Sequence, residues 1–270
     1  MTAIVSWNIQ CGKGCDGAVD LARIARVVRA MGEAEVICMQ EVTRNDPEIA
    51  GGADQATEVA ALFPGYRWIF GPGLERPPRQ FGNLLLTRLP VLQVFVHLLP
   101  QPAEGDIKHM QRQAIEAVLA TRAGPLRVVT THLEYYSARH RAVQIERLRA
   151  LQDEVAANEA RPPKPAASPY DPTPRPASVV LCGDLNLLPG DAEYRALFQA
   201  PFVDAWRQAH PGEPHPPTTG AFDREQWPMG GHCRDYFALT ADVARRVAAL
   251  EVDLDTDASD HQPLRLELRD

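Results

Sequence analysis

Short apolar runs recur along the chain, and most end on a polar residue. Eleven of them read as β-strands: Ala3–Ile9, Glu35–Val42, Tyr66–Phe70, Gly82–Thr87, Leu92–Leu99, Ala114–Thr121, Leu126–Leu133, Ser178–Leu185, Asp235–Leu239, Ala248–Leu254 and Leu264–Leu268. The last alternates, with Leu264, Leu266 and Leu268 on one side and Arg265, Glu267 and Arg269 on the other, as a half-buried strand should. Helical spacing is confined to three segments. Val19 to Met31 places Leu21, Ile24, Val27, Val28 and Met31 on one face, Ala53 to Phe63 is shorter, and Ser137 to Asn158 places Val143, Leu148, Leu151 and Val155 together. Many strands with few helices do not fit strict β-α-β alternation. Two mixed sheets packed face to face, with helices outside, fit better.

Two segments break the pattern. Residues 161–176 carry seven prolines, at 162, 163, 165, 169, 172, 174 and 176. Because residues on both sides feed the same polar set, this segment reads as a surface loop within one domain spanning residues 1–270 rather than as a linker. The stretch from His210 to His232 is rich in Pro, Gly, His and Trp, and its place in the chain suits a loop that selects the substrate.

The polar ends carry the chemistry. Asn8 closes the first strand and Glu41 follows Val36-Ile37-Cys38-Met39-Gln40. His132 follows Val128-Val129-Thr130-Thr131. Asp184 and Asn186 close Val179-Val180-Leu181-Cys182, where Gly183 permits close approach of backbone. The two would point the same way if the strand continued. Asp235 heads Tyr236-Phe237-Ala238-Leu239 and, if buried, needs a partner; His261, beside Asp260, is a natural one. An Asp on one ring nitrogen would fix the imidazole tautomer and leave the other nitrogen for phosphate or water. Arg112 and Arg141 are weaker candidates for contact with substrate or for orienting other groups. Strands that deliver carboxylates, amides and histidines from their ends build one shared polar site. Such oxygen-rich donors suit Mg²⁺, and the set suits hydrolysis of a phosphoester.

Composition narrows the choice. The 270 residues carry a net charge of −7, which argues against a non-specific nucleic-acid coat protein yet leaves room for a nuclease with a local basic groove. Five cysteines (Cys11, Cys15, Cys38, Cys182 and Cys233) lack the spacing of a zinc site, and their odd number does not suggest a disulfide framework. No run approaches the ~20 apolar residues of a membrane span. The start of the chain reads as a strand rather than an export signal, so a cytoplasmic location without membrane insertion is expected. Nothing in the pattern calls for an obligate protein partner.

Taken in order, Ser6-Trp7-Asn8-Ile9, Gln40-Glu41-Val42, the run from Gly82 to Arg88, Thr131-His132-Leu133, Gly183-Asp184-Leu185-Asn186, Arg234-Asp235-Tyr236-Phe237 and Ser259-Asp260-His261 resemble the endonuclease/exonuclease/phosphatase family of metal-dependent phosphoesterases. The resemblance implies an α/β fold, a four-layer α/β/β/α sandwich of two packed mixed sheets with the site at one end. It implies that Glu41, Asn8 and Asp260 surround Mg²⁺ or Mn²⁺. Asp184 would orient or deprotonate the attacking water, with Asn186 beside it. His261, paired with Asp235, would meet the scissile phosphate, and His132 would stabilise phosphoryl oxygen charge. The base is either Asp184 or His261, and one or two metals fit. The implied substrate is a phosphodiester, nucleic acid first and a small-molecule or lipid head-group ester second. A non-catalytic module on the same fold is the third reading, disfavoured because every expected position is filled. Where the inositol phosphatases carry a Trp-Cys-Asp-Arg-type signature, this chain has His232-Cys233-Arg234-Asp235-Tyr236.

Overall fold

The computed structural model describes residues 1–270. Twelve strands form: β1 (Thr2–Asn8), β2 (Val36–Arg44), β3 (Arg67–Arg76), β4 (Arg79–Thr87), β5 (Val91–Leu98), β6 (Gln113–Thr121), β7 (Gly124–His132), β8 (Val179–Asp184), β9 (Phe202–Asp204), β10 (Asp235–Thr240), β11 (Val247–Val252) and β12 (Leu264–Leu268). They make two six-stranded sheets, ordered β11-β12-β1-β2-β4-β3 and β5-β6-β7-β8-β10-β9. Helices α1 (Leu21–Ala30), α2 (Gln55–Leu62), α3 (Ala138–Ala160), α4 (Ala192–Leu197), α5 (Ala205–Ala209) and α6 (Ala241–Ala244) complete the chain.

The layers follow from which side of each strand is apolar. The inner faces of the two sheets meet through Ile4, Val36, Cys38 and Leu85 on one side and Ile115, Val128, Val180, Cys182 and Phe237 on the other. The alternate positions of the same strands, Val5, Trp7, Ile37, Met39, Leu84 and Leu86, pack outward against Ile24 and Val28 of α1 and Ala56 and Val59 of α2. On the opposite side Val129 and Leu181 pack against Ile145 and Leu148 of α3 and Leu197 of α4. Central strands are therefore apolar on both faces, and the molecule is the expected four-layer α/β/β/α sandwich. Asp20, Asp54 and Ser137 start the three longer helices by accepting backbone N–H bonds from Arg23, Thr57 and His140.

Each sheet has one parallel pair, β1–β2 and β7–β8, each joined through a helix. All four of these strands end at the same edge of the molecule, so Asn8, the Glu41 region, His132 and Asp184 emerge together. At the register step Thr131↔Gly183 the backbones crowd. Gly183 has φ +134°, and a Cβ there would lie 1.9 Å from the Thr131 carbonyl oxygen. Gly183→Ala should therefore cost more than about 3 kcal/mol, from strained backbone and the clash together. Gly190→Ala, where a Cβ meets nothing within 4 Å, should change stability by less than about 1 kcal/mol. Urea unfolding of both variants checks this, and equal midpoints would remove the close-approach argument.

The structure departs from the sequence reading in places. The Tyr66–Phe70 and Gly82–Thr87 runs are halves of a longer hairpin, β3–β4, that turns at Pro77-Pro78. Strand β9 has only three residues, and helices α4, α5 and α6 have four to six. Such short elements leave no periodicity to read. Residues 161–176 form neither helix nor strand and are exposed up to Asp171–Pro174, as a surface loop should be. Arg175 pins the end of this loop to the buried Glu116 through two hydrogen bonds of 2.7 and 2.8 Å. No helix is long and apolar enough to cross a membrane.

Candidate active site

A cleft of about 450 Å³ opens at that strand-end edge, lined among others by Glu41, Arg112, His132, Asp184, Asn186, Asp260 and His261. Residues from both sheets thus face one hollow. Asn8 sits at its base: its side-chain nitrogen donates to Glu41 Oε1 and to Asp184 Oδ2, each at 3.0 Å. Its oxygen accepts from the Gln10 backbone N–H at 3.1 Å.

Glu41 reaches the cleft by a local backbone irregularity. The pairing of β2 with β4 slips between Met39 and Val42, and Glu41 takes a left-handed φ of 57°. A bulge of this kind turns a side chain out of the normal alternation, and a non-glycine residue held there is strained. Burial, then the neighbouring Asp260 and Asp184 carboxylates, push the Glu41 carboxyl up, while the Asn8 amide acts the other way.

Strand β8 stops at Asp184, so Asn186 is not on a continuing strand. A left-handed turn at Asn186 (φ 52°) brings it to the cleft instead. Asp184 Oδ1 accepts from the Asn186 backbone N–H at 3.0 Å, and Asp184 Oδ2 lies 3.2 Å from His132 Nε2 and 3.7 Å from His261 Nε2. Burial raises the Asp184 carboxyl to about 6; Asp235 adds to the rise and His261 opposes it.

Asp235 lies directly opposite Asp184 in the β8–β10 register. Its Oδ2 meets His261 Nδ1 at 2.8 Å and accepts from the Thr218 hydroxyl at 2.6 Å. Burial opposes a charge on His261, but the carboxylates of Asp235, Asp184 and Asp260 outweigh it and hold the imidazolium well above the usual histidine range. Trp7 Nε1 donates to the His261 carbonyl at 2.8 Å and Ser259 Oγ to the Asn8 carbonyl at 2.8 Å, which ties this loop to β1. Asp260 Oδ2 accepts from Gln226 Nε2 at 2.9 Å and Trp227 Nε1 at 3.1 Å.

His132 is the counterpart of His261. Burial, then Arg112 and His261, push it well below the usual histidine range, so it is neutral. Its Nδ1 is buried without a hydrogen-bond partner, 3.8 Å from Glu41 Oε1.

Of the residues singled out from sequence, Asn8, Glu41, Arg112, His132, Asp184, Asn186, Asp260 and His261 meet in or at the base of the cleft, with Asp235 behind His261. Arg141 does not line it. That guanidinium donates to the carbonyls of Glu134 and Tyr135 at 3.1 and 2.7 Å, so it braces the loop that carries two cleft tyrosines. Sequence reasoning missed Tyr135, Tyr136, Gln10, Gln226 and Trp227 as lining residues, and Thr218 as the partner of Asp235. The last three of these lie in the His210–His232 stretch, where clustered Pro, Gly and Trp were the only signal.

The chain matches the Endonuclease/Exonuclease/phosphatase family over residues 5–261. It belongs to that family. Among solved structures it is similar to an endonuclease/exonuclease/phosphatase from Beutenbergia cavernae, with a TM-score of 0.74 at 25% identity over 99% of this chain and 71% of that one. A mannosyl-6-phosphatase from Bacteroides thetaiotaomicron gives 0.73 at 15% identity, covering 100% of both chains. A 3′ phosphatase from Neisseria, bound to a product DNA hairpin, gives 0.66 at 17% identity, also covering 100% of both. These two distant likenesses speak for the fold alone. No curated protein matches the chain. Membership supports phosphoester hydrolysis, a chemistry that in this family generally depends on a divalent metal.

Whether the residues fit such an ion can be asked of the cleft. Asp184, Asp235 and His261 offer ligand atoms within 4.8 Å of one another. Asp235 and His261, however, spend their facing atoms on each other. The Glu41 side is different. The carboxylates of Asp260 and Asp184 raise the cost of ionising Glu41 there, and no basic side chain is in hydrogen-bond contact with Glu41. Crowded oxygen donors of this kind fit a hard divalent cation.

Proposed function

We propose that this protein is a Mg²⁺- or Mn²⁺-dependent phosphodiesterase that acts on nucleic acid or a nucleotide-like ester. One observation carries the reading: His261, held at Nδ1 by Asp235, presents Nε2 towards Asp184 in a cleft that also contains Glu41, Asn8 and Asp260. Glu41 and Asp260 would hold the ion, with Asn8 fixing Glu41 against Asp184. A bound divalent ion supplies charge neutralisation at a phosphoryl oxygen and at the leaving oxygen.

The chain's own groups divide the remaining work. Asp184, with its carboxyl near 6, is ionised at neutral pH yet basic enough to take a proton from an attacking water. Asn186 holds Asp184 through its backbone N–H. The His261 imidazolium donates from Nε2 to a phosphoryl oxygen, and Asp235 keeps it charged and oriented. His132, neutral and lacking a hydrogen-bond partner at Nδ1, lines the same cleft as a second imidazole. The assignment makes Asp184 the base and His261 the electrostatic partner. Tyr135 and Tyr136, 38% and 56% exposed at the mouth, offer faces on which bases can stack.

The net charge of −7 favours a second reading, a small phosphoester that needs no extended basic track. Hydrolysis of bis-p-nitrophenyl phosphate with Mg²⁺ or Mn²⁺, its loss in EDTA and its return on adding metal are the expected results. Turnover that ignores EDTA would sink the metal-dependent reading. A panel of abasic duplex, single-stranded DNA, 5′-tyrosyl DNA, RNA and phosphorylated small molecules separates the substrates. Cleavage of the small molecules alone would remove the nucleic-acid reading.

A further inference from the structure

We propose that Arg234 is a positioning residue that locks the Asn186 amide in one orientation and so fixes which nitrogen of His132 carries the ring proton. This rests on the phosphodiesterase reading for its catalytic consequence, but its structural part stands on hydrogen bonds alone.

The amide of Asn186 has three neighbours. Arg234 Nη1 meets its oxygen at 3.1 Å, and its nitrogen meets the Leu133 carbonyl at 3.0 Å and His132 Nε2 at 3.1 Å. A guanidinium can only donate and a carbonyl can only accept. The reversed amide would set donor against donor at Arg234 and acceptor against acceptor at Leu133. The observed orientation is therefore enforced, and an N–H of Asn186 points at His132 Nε2. Asp184 Oδ2 lies 3.2 Å from the same nitrogen but makes no hydrogen bond with it, so Nε2 accepts from Asn186 and the ring proton sits on Nδ1, the atom that is buried without a partner beside Glu41. His132 can thereby donate only from Nδ1.

Arg234 is itself held on every side. Its Nε donates to His232 Nε2 at 2.7 Å, and His232 Nδ1 is engaged by the Gly230 carbonyl at 2.9 Å. The guanidinium carbon lies 5.0 Å from the ring centre of Tyr135 and 5.2 Å from that of Trp227, both of which line the cleft. Cation–π contact on both rings leaves the planar group little freedom. Lysine could reach one partner but not present a fork to two.

The test uses the full chain at pH 8. Long-range proton–nitrogen correlation of ¹⁵N-histidine-labelled protein should show His132 with a protonated Nδ1 and a bare Nε2. In Arg234→Met this signature should shift to a mixture of tautomers. The same variant should lose roughly 10- to 100-fold in kcat, the scale on which an orienting partner acts, with KM changed less than about threefold. Arg234→Lys should recover part of both and serves if the Met variant folds poorly. An unchanged His132 signature in either folded variant overturns the proposal. So does a raised KM with kcat kept, which would make Arg234 a substrate contact. Should the wild-type protein cleave no phosphoester, the reaction reading fails while the ring signature still decides whether Arg234 sets the amide.

Discussion

His261→Ala should lower kcat by about 10²- to 10³-fold, the range for removing a charge-stabilising donor from a reacting centre. The effect is large because the site concentrates so much on one ring. The imidazolium is buried, its Nδ1 is tied to Asp235 at 2.8 Å, and its Nε2 has Asp184 as its nearest acid at 3.7 Å. Asp235→Asn keeps the ring but removes the anion that holds it charged, so its kcat should also fall, while Asp235 in the His261→Ala variant is left as a buried carboxylate with only Thr218 on its Oδ2. Rates are therefore to be compared per folded molecule, with circular dichroism as the control. A kcat within about threefold of wild type in folded His261→Ala would mean that the ring is structural and that phosphoryl charge is stabilised elsewhere.

The sequence revealed the site's membership better than its geometry, for a physical reason. An apolar strand buried on both faces must become polar where it leaves the core. The residues that end β1, β7 and β8 are therefore marked by a local contrast: Asn8, His132 and Asp184 follow runs of Val, Ile, Leu and Thr. The Leu264, Leu266, Leu268 alternation marked β12 equally well, and all three are buried. What stayed hidden depends on chain segments far apart. Thr218 meets Asp235 across 17 positions and Trp227 meets Asp260 across 33, and neither approach leaves a trace in either neighbourhood. Glu41 looked like an ordinary strand end; its bulge and left-handed backbone come from the pairing with β4. Arg141 shows the converse case. Its place in a helix near the site said nothing of its direction, and it turns back onto the carbonyls of residues 134 and 135.

The stretch between His210 and His232 joins these two levels. Its Thr218 supports Asp235, its Gln226 and Trp227 grip Asp260, and Trp227 with Tyr135 flanks Arg234. The segment expected from its sequence to choose the substrate is thus also bonded to Asp235 and Asp260. Changes there should rarely alter specificity alone.

Asp184→Asn should separate catalysis from stability most sharply. Without a carboxylate to take a proton from water, kcat should fall by about 10²-fold or more. In metal-free buffer with EDTA the same variant should be more stable than wild type at pH 8, because the native fold holds the Asp184 carboxyl near 6, above its value of 3.8 when unfolded. Between about pH 4 and pH 6 the folded state keeps the proton that the unfolded state has lost. The wild-type protein therefore loses stability from this group as pH rises from about 4 to about 6, and the full penalty persists above that. A rise of that size corresponds to about 3 kcal/mol, of which the Asn variant gives back about 1 kcal/mol by losing the bond from Asn8. The net gain should be about 2 kcal/mol at pH 8, shrinking to nothing or slightly below at pH 4, where the wild-type acid is neutral as well. Urea unfolding at the two pH values measures it directly. A variant less stable than wild type at pH 8 would show that Asn8 and the Asn186 backbone N–H stabilise the Asp184 anion by more than its burial costs, and Asp184 would then be too weak a base for the role given to it.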